Sequence, residues 1–269
     1  MPLAGVVRRT ARTTYLRSLG TMASPVALCD PDRVETLTLA LSSVASRIAA
    51  VAQSKPPRLV AVSKLKPASD IQALYESAGQ RHFGENYVQE LADKAAQLPG
   101  DIQWHFIGSL QSNKCATLAS IPNLFAVETV DAVKKARKLN DARSEQWEKL
   151  NVFIQVNTSG EESKSGVAPG KETVEVARYI VNDCPRLNLL GLMTIGSIAR
   201  SHAAAEGEQN EDFTALLDTK QLVESELGVD SLELSMGMSQ DFEDAIKQGS
   251  TNVRVGSVIF GARPPRKSA

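Results

Sequence analysis

The chain has 269 residues and only three cysteines, Cys29, Cys115 and Cys184. They are odd in number, far apart and form no C-x-x-C pair. Neither a disulfide framework nor a cysteine metal site follows, and no metal is expected. They read as reduced, buried small side chains in a reducing compartment. No apolar run approaches the ~20 residues that a membrane span needs. Charge of one sign is also lacking overall: 30 Lys and Arg stand against 31 Asp and Glu, for a net charge of −1. That balance argues against nucleic acid or an acidic membrane surface as a partner. No Walker loop and no H-E-x-x-H pair is present. No G-x-G-x-x-G fingerprint follows the first strand-like run, which argues against an open dinucleotide-binding sheet.

One scarcity is local. The first acidic residue is Asp30, and the stretch MPLAGVVRRTARTTYLRSLGTMASP carries Arg8, Arg9, Arg12 and Arg17. Arg-rich, hydroxyl-rich and acid-poor is the composition of an organellar transit peptide; a plain leader, or an extension ahead of a start at Met22, fits it too. Residues 1–30 are therefore set apart from the fold, which is expected over 31–265. The expected location is the cytoplasm, or a mitochondrion or other organelle if the leader is an address.

What is present is a regular alternation. From Asp32 the apolar spacing is helical, through Val34, Leu37, Leu41, Val44, Ile48 and Val51. Short β-branched runs follow at 58–63, 80–84, 102–108, 124–128, 151–157, 187–194, 232–236 and 252–261. Helix-like stretches separate them at 69–78, 87–97, 112–119, 130–147, 171–183, 211–227 and 239–248. Strands alternating with crossover helices make a parallel sheet. Eight such units in one domain favour a closed α/β architecture, a single-domain (β/α)8 TIM barrel. The extra N-terminal helix is expected to close one end. The polar segment 196–212, long for such a connection, reads as a flap or exposed insertion.

Function in such a barrel sits at the C-terminal strand ends. After the first strand comes Ser63-Lys64-Leu65-Lys66-Pro67. After the seventh comes Ser235-Met236-Gly237-Met238-Ser239, and the eighth carries Arg254-Val255-Gly256-Ser257. Loops seven and eight commonly build phosphate sites. Gly and Ser let backbone N–H groups approach an anion, although Ser239 is also a good helix N-cap. A phosphate cradle facing a lysine across the mouth suits a sugar-phosphate enzyme or pyridoxal phosphate, an aldehyde with a phosphate arm. Lysine at a strand end can lose charge by desolvation and beside other cations. Position alone leaves Lys64 and Lys66 both open.

The segments AVSKLKP, HFGENYVQE, WHFIGSLQSNK, VNTSGEESKSGV, GLMTIG, LSMGMSQDFEDAI and GSTNVRVGSVIFGAR resemble the YggS/PROSC family of pyridoxal phosphate homeostasis proteins, over about residues 33–263. The resemblance implies a barrel like the N-terminal domain of alanine racemase, with pyridoxal 5′-phosphate as cofactor. It implies that Lys64 forms the Schiff base and that Arg254 lies by the pyridine nitrogen. Ser235, Gly256 and Ser257 would surround the phosphate, with Asn86, His105 and Met236 near the ring. Two positions depart from the usual pattern: Leu65, where Thr is common, and Ser109, where Pro or His often stands.

The expected role is a carrier with no catalytic residues, exchanging pyridoxal phosphate with apo forms of the enzymes that use it. Racemases of this fold carry a further domain that supplies a second acid/base. The eight residues after Gly261 leave no room for one. A monomer is expected, with a dimer as the alternative. Two enzyme readings remain. One is a single-domain racemase taking its second base from Tyr87 or His105. The other is a sugar-phosphate aldolase or isomerase on the same barrel.

Overall fold

A computed structural model describes residues 26–53, 55–161, 163–197 and 209–262. The leader up to residue 25 and most of the segment read as a flap, 198–208, lie outside the described residues. Eight strands form one closed parallel barrel in sequence order: β1 (Arg58–Val62), β2 (His82–Glu85), β3 (Gln103–Phe106), β4 (Leu124–Val130), β5 (Leu150–Gln155), β6 (Leu187–Met193), β7 (Glu233–Ser235) and β8 (Asn252–Val255). The barrel shuts where β8 pairs with β1, Arg58 opposite Asn252 and Ala61 opposite Val255.

Nine α-helices surround it among the described residues: α1 (Pro31–Val51), α2 (Ala68–Ala78), α3 (Val88–Gln97), α4 (Cys115–Ala119), α5 (Val133–Ala142), α6 (Lys171–Asp183), α7 (Glu211–Leu227), α8 (Phe242–Lys247) and α9 (Ser257–Phe260). Local chemistry sets several boundaries. Asp30 caps α1 by accepting from the Asp32 N–H, and Pro31 occupies a first-turn position where no N–H is missed. Gly79 and Gly228 end α2 and α7 in the left-handed conformation that glycine adopts without a steric penalty.

Two expectations are corrected. The apolar run 252–261 is not one strand. It is β8, then Gly256, then the single turn of α9. A short apolar run carries no periodicity that separates strand from helix. The N-terminal helix does not close an end of the barrel. α1 packs along the wall against α2, α8 and α9, beside the β8–β1 seam. Among the described residues after β8 the one helix is the four-residue α9, and α1 packs on it. Leu37, Leu41, Val44 and Ile48 form the buried stripe of α1. Arg33 pairs with Asp70 of α2 at 2.6 Å, and Arg47 with Glu243 of α8 at 2.6 Å. Among the described residues α1 alone is long and apolar enough to cross a membrane by those two measures. Its buried stripe and its ion pairs to α2 and α8 are those of an amphipathic helix packed on the barrel wall.

Strand side chains alternate between two environments. Outward residues such as Phe83, Trp104, Phe106, Val152 and Val253 join the main apolar core beneath the helices. Inside the barrel the apolar content is small, chiefly Ala126, Phe153 and Met193 with Phe125 and Leu190 against them. Barrels of this class usually fill that space with branched aliphatics. Here much of it is polar.

The packing of α1 has a direct test. Leu37→Ala, at a fully buried position, should destabilise by about 2–5 kcal/mol in denaturant unfolding. Leu39→Ala, exposed on the same helix, should change stability by less than about 0.5 kcal/mol. Equal effects would contradict the assigned face.

Candidate functional site

A cavity of about 470 Å³ opens at the C-terminal mouth of the barrel. Its wall takes Val62 and Lys64 from the end of β1, Asn86 and Ile107 from the ends of β2 and β3, and Met193 from β6. Met238, Ser239, Gln240 and Asp241 come from the loop after β7, and Arg254, Gly256 and Ser257 from β8 and beyond. Lys66 and Phe260 complete the rim near Gly261. The volume suits a small organic ligand.

The loops after β7 and β8 are tied together. Ser239 Oγ accepts from the Gly256 N–H at 3.1 Å. Ser239 is therefore not a helix cap: α8 begins three residues later, behind Asp241. Asp241 instead accepts from the Met238 N–H at 2.6 Å and closes the turn. Two glycines make this packing possible. A side chain on Gly256 would press on Val62, with its Cβ 3.2 Å away. Gly237 has φ +92° and lies against Ala245, where a Cβ would be only 2.6 Å distant.

The Lys64 turn is anchored from behind. Ser63 Oγ donates to Glu85 at 2.7 Å, and Lys94 Nζ donates to Glu85 at 2.7 Å and to the Ser63 carbonyl at 2.9 Å. Glu90 bridges Lys94 to the Leu65 N–H, both at 2.7 Å. Leu65 is held at φ +61°, an unusual conformation for a branched side chain. Burial pushes the Glu85 carboxyl up to about 7, against the opposing pull of Lys94 and Ser63. Lys66 Nζ donates to the Ala262 carbonyl at 2.7 Å, and burial with the nearby Arg33 charge lowers its pKa.

Arg254 enters the cavity from below. Its guanidinium donates to Ser235 Oγ at 2.5 Å and to the Thr194 carbonyl at 2.8 Å. Ser235 donates in turn to Glu128, which also accepts from His105 Nδ1 at 2.6 Å and from Asn252. His105 Nε2 lies 3.0 Å from His82 Nδ1. Asn252 also accepts from Arg58, which pairs with Glu233. A polar column thus runs the length of the barrel interior. Burial alone would raise the Glu128 carboxyl; the His105 hydrogen bond, the charges of His105 and Arg254 and the Ser235 hydroxyl bring it below the ordinary value. Burial, then the charges of His105 and Arg58, lower His82 to about 3, so this ring is neutral.

Residues 39–264 match the family described as alanine racemase, N-terminal domain. The chain is 50% identical over 234 residues to the pyridoxal phosphate homeostasis protein of Schizosaccharomyces pombe, covering 87% of this chain and 96% of that one. It is 50% identical over 216 residues to the human protein of the same name, covering 77% of each. The chain belongs to the pyridoxal phosphate homeostasis protein family. Among solved structures, PipY of Synechococcus elongatus with pyridoxal phosphate bound is 31% identical. It aligns with a TM-score of 0.69, covering 84% of this chain and all of that one.

Within this family member the residues read from the sequence divide into two groups. Lys64, Asn86, Arg254, Gly256 and Ser257 line one cavity. Ser235, His105 and Met236 do not. Ser235 lies fully buried beneath Arg254, its hydroxyl committed to Glu128, Asn252 and Arg254 rather than to an anion at the mouth. His105 is the residue before the last of β3, faces the barrel interior and has both ring nitrogens engaged. Met236 follows Ser235 and so faces the opposite way, into the main core. Glu128 escaped sequence reading. The available signal was a lone acid inside the apolar run LFAVE.

The residues present fit a phosphate-bearing aldehyde. An amine, a buried cation and two serine hydroxyls face one space. Asn86 Oδ1 is shielded from solvent and has no protein partner, an acceptor that a bound donor would satisfy.

Two outcomes follow. Gly108 packs on the backbone of Asn86, where an added Cβ would fall 1.9 Å from the Asn86 carbonyl oxygen. Gly108→Ala should therefore displace Asn86 and weaken cofactor binding; unchanged affinity by titration would contradict this contact. Glu85 carries a pH dependence. Its folded pKa is raised, so its contribution to stability is present below about pH 4.5 and is lost as pH rises through about 7. Denaturant midpoints at pH 5 and 7.5 should show wild type losing stability relative to Glu85→Gln. A gap that grows in favour of wild type with rising pH would contradict the assignment.

Proposed function

We propose that this chain holds pyridoxal 5′-phosphate at the barrel mouth on Lys64 and keeps it exchangeable, serving pyridoxal phosphate homeostasis instead of amino-acid turnover. The observation that carries this is convergence: Lys64 after β1, Arg254 of β8 and the Ser239–Gly256–Ser257 cradle beside it wall one cavity at the seam where the barrel closes. The cofactor's aldehyde supplies the chemistry, condensing reversibly with an amine. Lys64 is the amine, and the clamp of Ser63, Glu85, Glu90 and Lys94 fixes its turn. Arg254 would offer a guanidinium N–H to the pyridine nitrogen, which would keep that nitrogen unprotonated and the ring a weaker electron sink. Ser239, Ser257 and Gly256 line the place for the phosphate. The relatives' shared name and the pyridoxal phosphate in PipY support the same reading.

Racemisation needs a second acid/base at the face opposite the lysine, and general acid–base help is worth about 10²–10⁴-fold. The two residues with that chemistry in the racemase reading are badly placed for it. Tyr87 is 50% exposed and stands outside the cavity wall. His105 is sealed inside the barrel between Glu128 and His82. That favours a carrier which passes its cargo to apo enzymes.

The purified protein incubated with pyridoxal phosphate should show a visible absorption band. Borohydride should fix the cofactor to the peptide bearing Lys64. Lys64→Ala should lose the band and Lys66→Ala should keep it. Label on the Lys66 peptide would overturn the assignment, and rapid deuterium wash-in at an amino-acid α-carbon would overturn the carrier role.

A further inference from the structure

We propose that Glu128 is the positioning residue for Arg254, holding the guanidinium through Ser235 in the orientation that faces the cofactor; this rests on the cofactor reading above. Arg254 is 5% exposed and, among the described residues, makes no direct ion pair. Its contacts are one hydroxyl and one carbonyl. The charges that face it are Glu128, one hydroxyl away, and Asp241 in the cavity wall. Asp241 spends one oxygen on the Met238 N–H.

Hydrogen-bond polarity makes the link specific. An ionised carboxylate only accepts, and guanidinium and amide NH₂ groups only donate. Ser235 has a single proton. Arg254 and Asn252 both donate to its oxygen, so that proton goes to Glu128 Oε2. His105 Nδ1 must likewise carry its proton toward Glu128 Oε1. All the donors around Glu128 therefore point inward: His105, Ser235 and Asn252. The network has one arrangement of protons at these contacts, and that arrangement aims the Ser235 lone pairs at Arg254. Glutamine at position 128 has the same shape but the wrong polarity. Its NH₂ would face either Ser235, which donates there, or His105, which would have to move its proton to Nε2, toward His82, to accept it. In the first case Ser235 would turn and Arg254 would lose its fixed partner; in both it would lose the negative charge of Glu128. Glu128 does not touch the cavity, so it acts on the cofactor only through Arg254.

The test uses Glu128→Gln, Ser235→Ala and Arg254→Lys in the full chain. In the cofactor-free protein, NMR should find an Arg254 guanidinium signal protected from solvent exchange, assigned by its loss in Arg254→Lys. Glu128→Gln and Ser235→Ala should fold and lose that protection. On titration with pyridoxal phosphate, Glu128→Gln should bind about tenfold or more weakly, since it removes a charged hydrogen-bond partner. The pH dependence of its visible band should shift. Glu128→Gln combined with Arg254→Lys should bind little worse than Arg254→Lys alone. Retained protection in Glu128→Gln with wild-type affinity, or additive losses in the double variant, would overturn the proposal. Failure of both Glu128→Gln and Ser235→Ala to fold would overturn it as well, making the column a folding element. If the wild type takes up no pyridoxal phosphate, the cofactor reading fails, while the NMR comparison still decides whether Glu128 positions Arg254.

Discussion

Arg254 brings a positive charge into an enclosed space, and a buried charge without an opposite one is costly. Glu128 answers it from the next layer of the barrel, through the hydroxyl of Ser235. The carboxylate needs its own donors and finds them in His105 and Asn252. Asn252 reaches further down to Arg58, and Arg58 to Glu233. Two acids and two arginines thus balance along one column. The polar interior is the consequence of placing a fixed cation at the mouth, and it explains why branched aliphatic layers do not fill this barrel.

A second buried cluster does the same for the lysine. Lys94 lies between Glu85 and Glu90 behind the β1 turn, and their hydrogen bonds hold the backbone of Ser63 and Leu65. The two clusters sit on opposite faces of the strands. One is inside the barrel; the other is beneath α3. Between them the amine and the guanidinium are presented to one cavity from β1 and β8, the strands that close the barrel. Binding on a preorganised scaffold requires little ordering at the moment of association, which suits reversible capture.

Much of this was legible in the sequence, for identifiable reasons. Strand and helix alternation follows from periodicity and turn residues, and it yielded all eight strands in place. The end of the last strand did not follow, because SVIF is apolar in either conformation. The position of α1 did not follow either, since α2, α8 and α9, on which it packs, come together only in the closed barrel. That Lys64, Asn86, Arg254, Gly256 and Ser257 line one cavity was readable because each stands at or beyond a strand end. Ser235 and Met236 stand outside the cavity wall by depth and by face: one residue's difference in a strand reverses the side, and two residues' difference moves a side chain one layer down. Glu128 was hidden because its meaning depends on Ser235 and Arg254, far away in the chain and adjacent only in the closed barrel.

The most direct test of the account is a crystal structure of the protein loaded with pyridoxal phosphate. The account predicts continuous density from Lys64 Nζ into the cofactor, with the phosphate between Ser239 and Ser257. Arg254 should be unmoved on Ser235 and should face the ring nitrogen. Cofactor attached elsewhere, or Arg254 swung away from Ser235 to meet the phosphate, would contradict it.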